Sequence, residues 1–188
     1  MVDPKGEFFE SMSEFLRNQG YVVKAFNLLD MENSDGWNCI GEIGNDTDMV
    51  QSVAEIIIRN TADSEQKADF WDKAEQSLLI ALILYVQSMR DPITNELLPI
   101  HERSLGTIYK MLSTEGQKSP DAKFQKLPLD HSARAPYGIF KQAASNLWGN
   151  IFIGLGSRLS VFQNKLVDTI TKYHEIDMEL PGKQPCAY

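Results

Sequence analysis

From Ala68 to about Met89 the sequence places Phe70, Trp71, Ala74, Leu78, Leu79, Ala81, Leu82, Tyr85 and Val86 at helical spacing. These residues wrap most of the way around the helix they predict. A helix apolar on so many sides has to be enclosed by other helices, so the middle of the chain reads as a bundle around it. Asp91-Pro92 ends it, because the residue before proline is driven out of helical geometry.

The flanking segments supply the enclosure. Asp46-Thr47 cap a helix to about Asn60 that turns Met49, Val50, Val53, Ile56 and Ile57 to one side. Glu102 to Ser113 predicts another helix. Thr114 to Pro136 is polar and carries Pro120, Pro128 and Pro136; it reads as a loop with a short helix near 120–127. Pro136 opens a helix to about Leu147, and Asn150 to Tyr173 predicts one long last helix, broken if anywhere near Gly154 and Gly156.

The two ends read differently. Val2 leads into Asp3-Pro4-Lys5-Gly6-Glu7, then a helix to Asn18 with Phe8, Phe9, Met12, Phe15 and Leu16 at helical spacing. Gly20 stops it, and Tyr21 to Leu29 is rich in strand formers. Strand end, helix and strand make half of a parallel βαβ unit. The tail from Glu179 ends on what reads as the first residues of another strand. A helical domain set between two strands of a larger sheet gives this pattern.

Composition excludes some classes. With 43% hydrophobic and 23% charged residues the chain is of globular type, and no apolar run approaches the roughly 20 residues of a membrane span. Cys39 and Cys186 are far apart and suit isolated thiols in a reducing compartment. The net charge of −8 argues against nonspecific DNA affinity, yet it is uneven. Residues 1–99 carry 7 Lys/Arg against 18 Asp/Glu, whereas residues 100–166 carry 9 against 4. The basic half offers Lys110, Lys118, Lys123, Lys126, Arg134, Lys141, Arg158 and Lys165 as DNA contacts. The acidic helix start offers Asp63, Glu65, Asp69, Asp72 and Glu75 for docking a basic protein.

No catalytic residues emerge. Gly149 to Gly154 has the glycine spacing of a phosphate loop, but Leu155 stands where the lysine belongs. Asp130-His131-Ser132 holds the letters of a triad in adjacent positions, which do not reach triad geometry. His101 and His174 lack ligand spacing, so no metal site is expected. Trp71 and Trp148 read as core, while Trp37, in a loop, is open to core packing or base stacking.

Taken together, V-D-P-K-G-E-x-x-E, the strand ending in N-L-L-D-M, S-D-G-W-N, F-W-D-K-A-E-Q-S-L-L, P-Y-G-I-F-K-Q-A and G-L-G-S-R-L-S resemble the coupling proteins of type IV secretion and conjugation, the TraG-like ATPases. The resemblance covers nearly the whole chain. It implies an all-α domain inserted in a RecA-like α/β motor, so the fold expected is mainly α, about six or seven helices with short strand remnants at both ends. Residues 1–30 would be a remnant of the nucleotide-binding domain, 31–178 the all-α domain, and 179–188 the return strand.

The parent implied is a hexameric, membrane-anchored ATPase using ATP and Mg²⁺ at the cytoplasmic face of the bacterial membrane. Asp3, Lys5 and Glu7 match the segment near its nucleotide. This stretch holds neither P-loop nor Walker B acid, so no activity or cofactor of its own is expected, and it should be a cytoplasmic monomer. The implied function is recognition of a relaxase or relaxosome accessory protein, with direct DNA contact through the basic half as the alternative.

Overall fold

The computed structural model describes residues 2–44, 46–61, 70–114 and 118–188, without the side chains of residues 114, 118 and 119. Nine α-helices fall in these residues: α1 (Glu7–Asn18), α2 (Cys39–Ile43), α3 (Thr47–Asn60), α4 (Phe70–Gln87), α5 (Leu105–Thr114), α6 (Lys118–Gln125), α7 (Arg134–Lys141), α8 (Trp148–Arg158) and α9 (Lys165–Lys172). Two short strands, β1 (Val22–Val23) and β2 (Cys186–Ala187), pair in parallel. The fold is mainly α, as the patterning predicts.

The helix α4 is the axis. Leu78, Leu79, Ala81, Leu82, Ile83 and Val86 are completely buried, and α3, α5, α7 and α8 pack around it. Aromatic rings knit α6, α7 and α8 together on one flank. Phe124 stacks on Tyr137 with centroids 4.0 Å apart, and Phe140 meets Phe152 edge-on at 5.6 Å.

Several boundaries depart from the sequence reading. The last helix breaks not at Gly154 and Gly156 but over residues 159–164, where a 3₁₀ turn leads to Asn164. The Asn164 side chain accepts from the amides of Leu166 and Val167, capping α9 and starting it afresh. The helix expected from Pro136 to about Leu147 begins two residues earlier, at Arg134, and ends at Lys141; α5 begins at Leu105 rather than Glu102, and α2 is an extra short helix inside the connector read as loop.

The motif Ser34-Asp35-Gly36-Trp37-Asn38 holds the two ends of the chain to the helices. Asp35 accepts from Lys24 Nζ and the Ala25 amide, both at 2.7 Å, anchoring the exit of β1. Gly36 bonds through its carbonyl to the amides of Glu175 and Ile176, and through its amide to Glu175 Oε2. A Cβ on Gly36 would lie 2.9 Å from Tyr173 Cβ and carbonyl oxygen, so the backbones approach as only glycine allows. Trp37 donates its backbone amide to Ile170. Asn38, fully buried, caps α2 through Oδ1, and its Nδ2 reaches the carbonyls of Ile100, Arg103 and Lys172 at 3.1, 3.2 and 2.9 Å.

The end segment α1 is amphipathic but buries none of its residues; Phe8, Phe9, Met12 and Phe15 are 41–57% exposed. Its principal contact is β1.

Asn38→Ala should lower unfolding free energy by about 3 kcal/mol in a urea melt, since it takes the donor from carbonyls of two segments, at Arg103 and Lys172, and removes the cap of α2. Asn38→Asp should do no better, because a carboxylate cannot donate to them.

Candidate functional site

Asp3, Lys5 and Glu7, expected near a nucleotide, lie in the turn that starts α1. Asp3 Oδ2 accepts from the Phe9 amide at 2.9 Å, and the Asp3 carbonyl accepts from Gly6, which adopts φ 76° at the N-cap. Glu7 lies in the first helical turn, where its charge suits the helix dipole, and Lys5 is exposed. Among the described residues no group of three or more His, Cys, Asp or Glu is placed to hold a metal. The Asp3 carboxylate is engaged with the start of α1.

The docking carboxylates divide. Asp63, Glu65 and Asp69 lie outside the described residues. Asp72 and Glu75 face inward, onto Arg158, which the sequence had offered to DNA. Arg158 Nη2 lies 2.6 Å from Asp72 and its Nε 2.5 Å from Glu75, while Nη1 donates to the Ile58 carbonyl and to Thr61. Glu75 is 5% exposed. Gly154 makes room for its carboxylate, where any Cβ would collide with Oε1. One guanidinium thus binds α3, α4 and α8. Gly154, one of the two glycines whose spacing suggested a phosphate loop, serves this packing.

The other basic residues are also largely engaged. Lys110 pairs with Asp168 at 3.3 Å. Arg134 donates to the Leu127 carbonyl at 2.7 Å. Lys141 pairs with Asp121 at 2.9 Å and lies 3.5 Å from the centroid of the Trp148 ring. The Lys141 hydrogen bond holds the Asp121 carboxyl below its usual range, opposed by burial, and Tyr137 also donates to Asp121. Lys123 is half-buried, and the side chain of Lys118 lies outside the description. Lys126 and Lys165 are exposed.

His131 and Trp148 are bonded within the fold, whereas Trp71, expected in the core, lies at the surface because it stands at the start of α4, before its buried stretch begins. His131 Nδ1 accepts from the Ala133 amide, so Nε2 carries the proton and donates to Ser88 Oγ at 2.9 Å; Ser88 in turn donates to the Tyr85 carbonyl. This is not a nucleophile–base pair, because the ring nitrogen facing the hydroxyl is a donor. Trp148 donates to the Ala143 carbonyl. Trp37 is half-buried with its Nε1 enclosed, whereas Trp71 is 37% exposed against Phe70. Burial pushes the Cys39 thiol up to about 12, which keeps it protonated and inert.

A feature the sequence reading missed is a cleft of about 330 Å³ between the 3₁₀ turn at Met31–Asn33 and α9. Its walls come from segments far apart in the chain: Gly36 and Glu175, which bond across it, are 139 positions apart. Only S-D-G-W-N, a glycine beside a capping asparagine, hinted at a junction there. No helix among the described residues is long and apolar enough to cross a membrane.

Arg158→Ala should cost about 3–5 kcal/mol in a denaturant melt, because it leaves Glu75 charged and buried without its partner. Burial holds the His131 imidazole below its ordinary range, with Asp130 pulling the other way. The stability tied to the neutral ring should be complete above pH 6.5 and decline as pH falls toward the folded value. Nuclear magnetic resonance titration of the ring in folded protein should give a midpoint below 6.5.

A family model described as Type IV secretory system Conjugative DNA transfer matches residues 1–179. No curated protein and no solved structure matches the chain. The landmark motifs, the helical body and the match over nearly the full length agree: the chain belongs to the type IV secretory system conjugative DNA transfer family.

Proposed function

We propose that this chain acts as the substrate-recognition all-α domain of a TraG-like conjugative coupling protein. It docks a relaxase or a relaxosome accessory protein for DNA transfer through the type IV secretion system. The observation that carries protein docking over DNA contact is the fate of the basic half. Arg134, Lys141 and Arg158 are committed to bonds inside the fold, and Lys110 meets Asp168 at the surface. A cation already paired with a carboxylate gains less from a phosphate and releases fewer counterions from DNA.

Residues 1–30 and 179–188 are read as the margin of a nucleotide-binding domain, and 31–178 as the recognition body. The parallel pairing of β1 with β2, with every helix after α1 between them in sequence, supports that division. The exposed apolar face of α1 is what a helix shows when the sheet it covers is not in the described chain. On this reading ATP and Mg²⁺ act in the motor domain of a membrane-anchored hexamer, on the cytoplasmic side. This stretch by itself is monomeric and does not turn ATP over.

Fluorescence titration of labelled single- and double-stranded DNA at about 50 and 200 mM salt should show weak binding with a shallow salt dependence. A relaxase titrated under the same conditions should bind. Tight DNA binding that collapses at the higher salt, with no relaxase binding, would reverse the order of the two readings.

A further inference from the structure

The cleft beside the S-D-G-W-N motif has the character of a recognition site. Leu166, Ile170 and Tyr173 give it an apolar wall, and Glu32 and Glu175 add two exposed carboxylates. Among the described residues no basic side chain lines it. Glu175 is held in place by accepting from the Gly36 amide at 2.6 Å, so its carboxylate is fixed in direction. Glu32 has no ion pair among the described residues. The Tyr173 ring is 44% exposed, and Lys172 Nζ already lies 5.3 Å from its centroid, within cation–π reach.

A nucleotide or a DNA backbone would bring phosphate against two carboxylates and is disfavoured. A purely apolar ligand would leave those carboxylates partly dehydrated and unpaired. The volume, about 330 Å³, is at the low end for ligand pockets and holds one or two side chains.

We propose that this cleft receives a protein segment in which a leucine-like side chain sits beside an arginine or lysine. The apolar group packs on Leu166, Ile170 and Tyr173, and the cation lies between Glu32 and Glu175. The inference rests on the protein-docking reading and gives it a place. Charge complementarity of this kind sets specificity and encounter rate more than raw affinity.

The test titrates isotope-labelled protein with an acetylated, amidated Leu-Arg-Leu-Arg peptide, and separately with its Leu-Glu-Leu-Glu counterpart. Amides of residues 31–36 and 166–175 should shift with the basic peptide alone. Glu32→Lys should weaken binding about fivefold. Leu166→Asp should remove it, with the melting curves of both variants unchanged because both sites are exposed. Shifts elsewhere, an equal response to the acidic peptide, or none up to about 10 mM would overturn the proposal. A relaxase that binds wild type, Glu32→Lys and Leu166→Asp equally would sink the cleft while leaving protein docking intact. Peptide binding in the cleft together with no relaxase binding would do the reverse.

Discussion

The carboxamide of Asn38 is the point on which this architecture turns. Its Nδ2 has two hydrogens and three carbonyls within reach, from the residues before α5 and from the end of α9, while Oδ1 starts α2. No apolar side chain could replace it, because the Arg103 and Lys172 carbonyls would lose their donor and only the Ile100 carbonyl, which also accepts from the Arg103 amide, would keep one. Gly36, two residues earlier, lets the chain run backbone to backbone against Tyr173. Asp35 fixes the chain leaving β1. Five consecutive residues thus join the strand pair, the start of the bundle and its last helix. The apolar core around α4 gives the bundle its cohesion, but it does not reach the strands. The polar clasp does.

A second constraint is electrostatic. An acidic protein with a locally basic half invites the view that its cations await an anionic partner. The fold uses many of them itself: Arg158 bridges three helices, Lys141 is held between Asp121 and Trp148, and Lys110 meets Asp168. The buried or half-buried pairs of Arg158 and Lys141 add little net stability compared with an apolar replacement, and their removal one partner at a time is costly. They specify which helices lie side by side. Charge that fixes helix register is charge withdrawn from recognition, and the same holds for Asp72 and Glu75 on the acidic side.

Local pattern carried much of the fold in the sequence. Apolar periodicity located α3 and the C-terminal end of α4 nearly as observed, the expected start of α4 lying outside the described residues, and the glycine after α1 marked the turn into β1 correctly. What failed had physical causes. Gly154 and Gly156 suggested a break in α8, but Gly154 is there to admit the Glu75 carboxylate; the break comes at Asn164, whose capping role is local and could have been read. Arg158, Asp72 and Glu75 were legible as charges but not as partners, because ion pairing across 83 and 86 positions depends on packing. The cleft was invisible for the same reason. Its walls meet only after α9 folds back onto the first 3₁₀ turn.

The position of that cleft follows from the clasp. Gly36 and Glu175 belong both to the cleft and to the bonds that tie the strand-bearing ends to α9. A ligand seated there touches the joint itself, not a remote helix face. An element can report binding only if the ligand distinguishes two of its arrangements, and rigid packed cores do so poorly. Here a joint made of a handful of hydrogen bonds links the helical body to a two-residue strand pair, a boundary outside the apolar core. Recognition placed at this seam would reach the strands through Gly36, Asp35 and Ala25, three bonded steps, whereas recognition on the outer face of α3 or α8 would have to pass through the whole core.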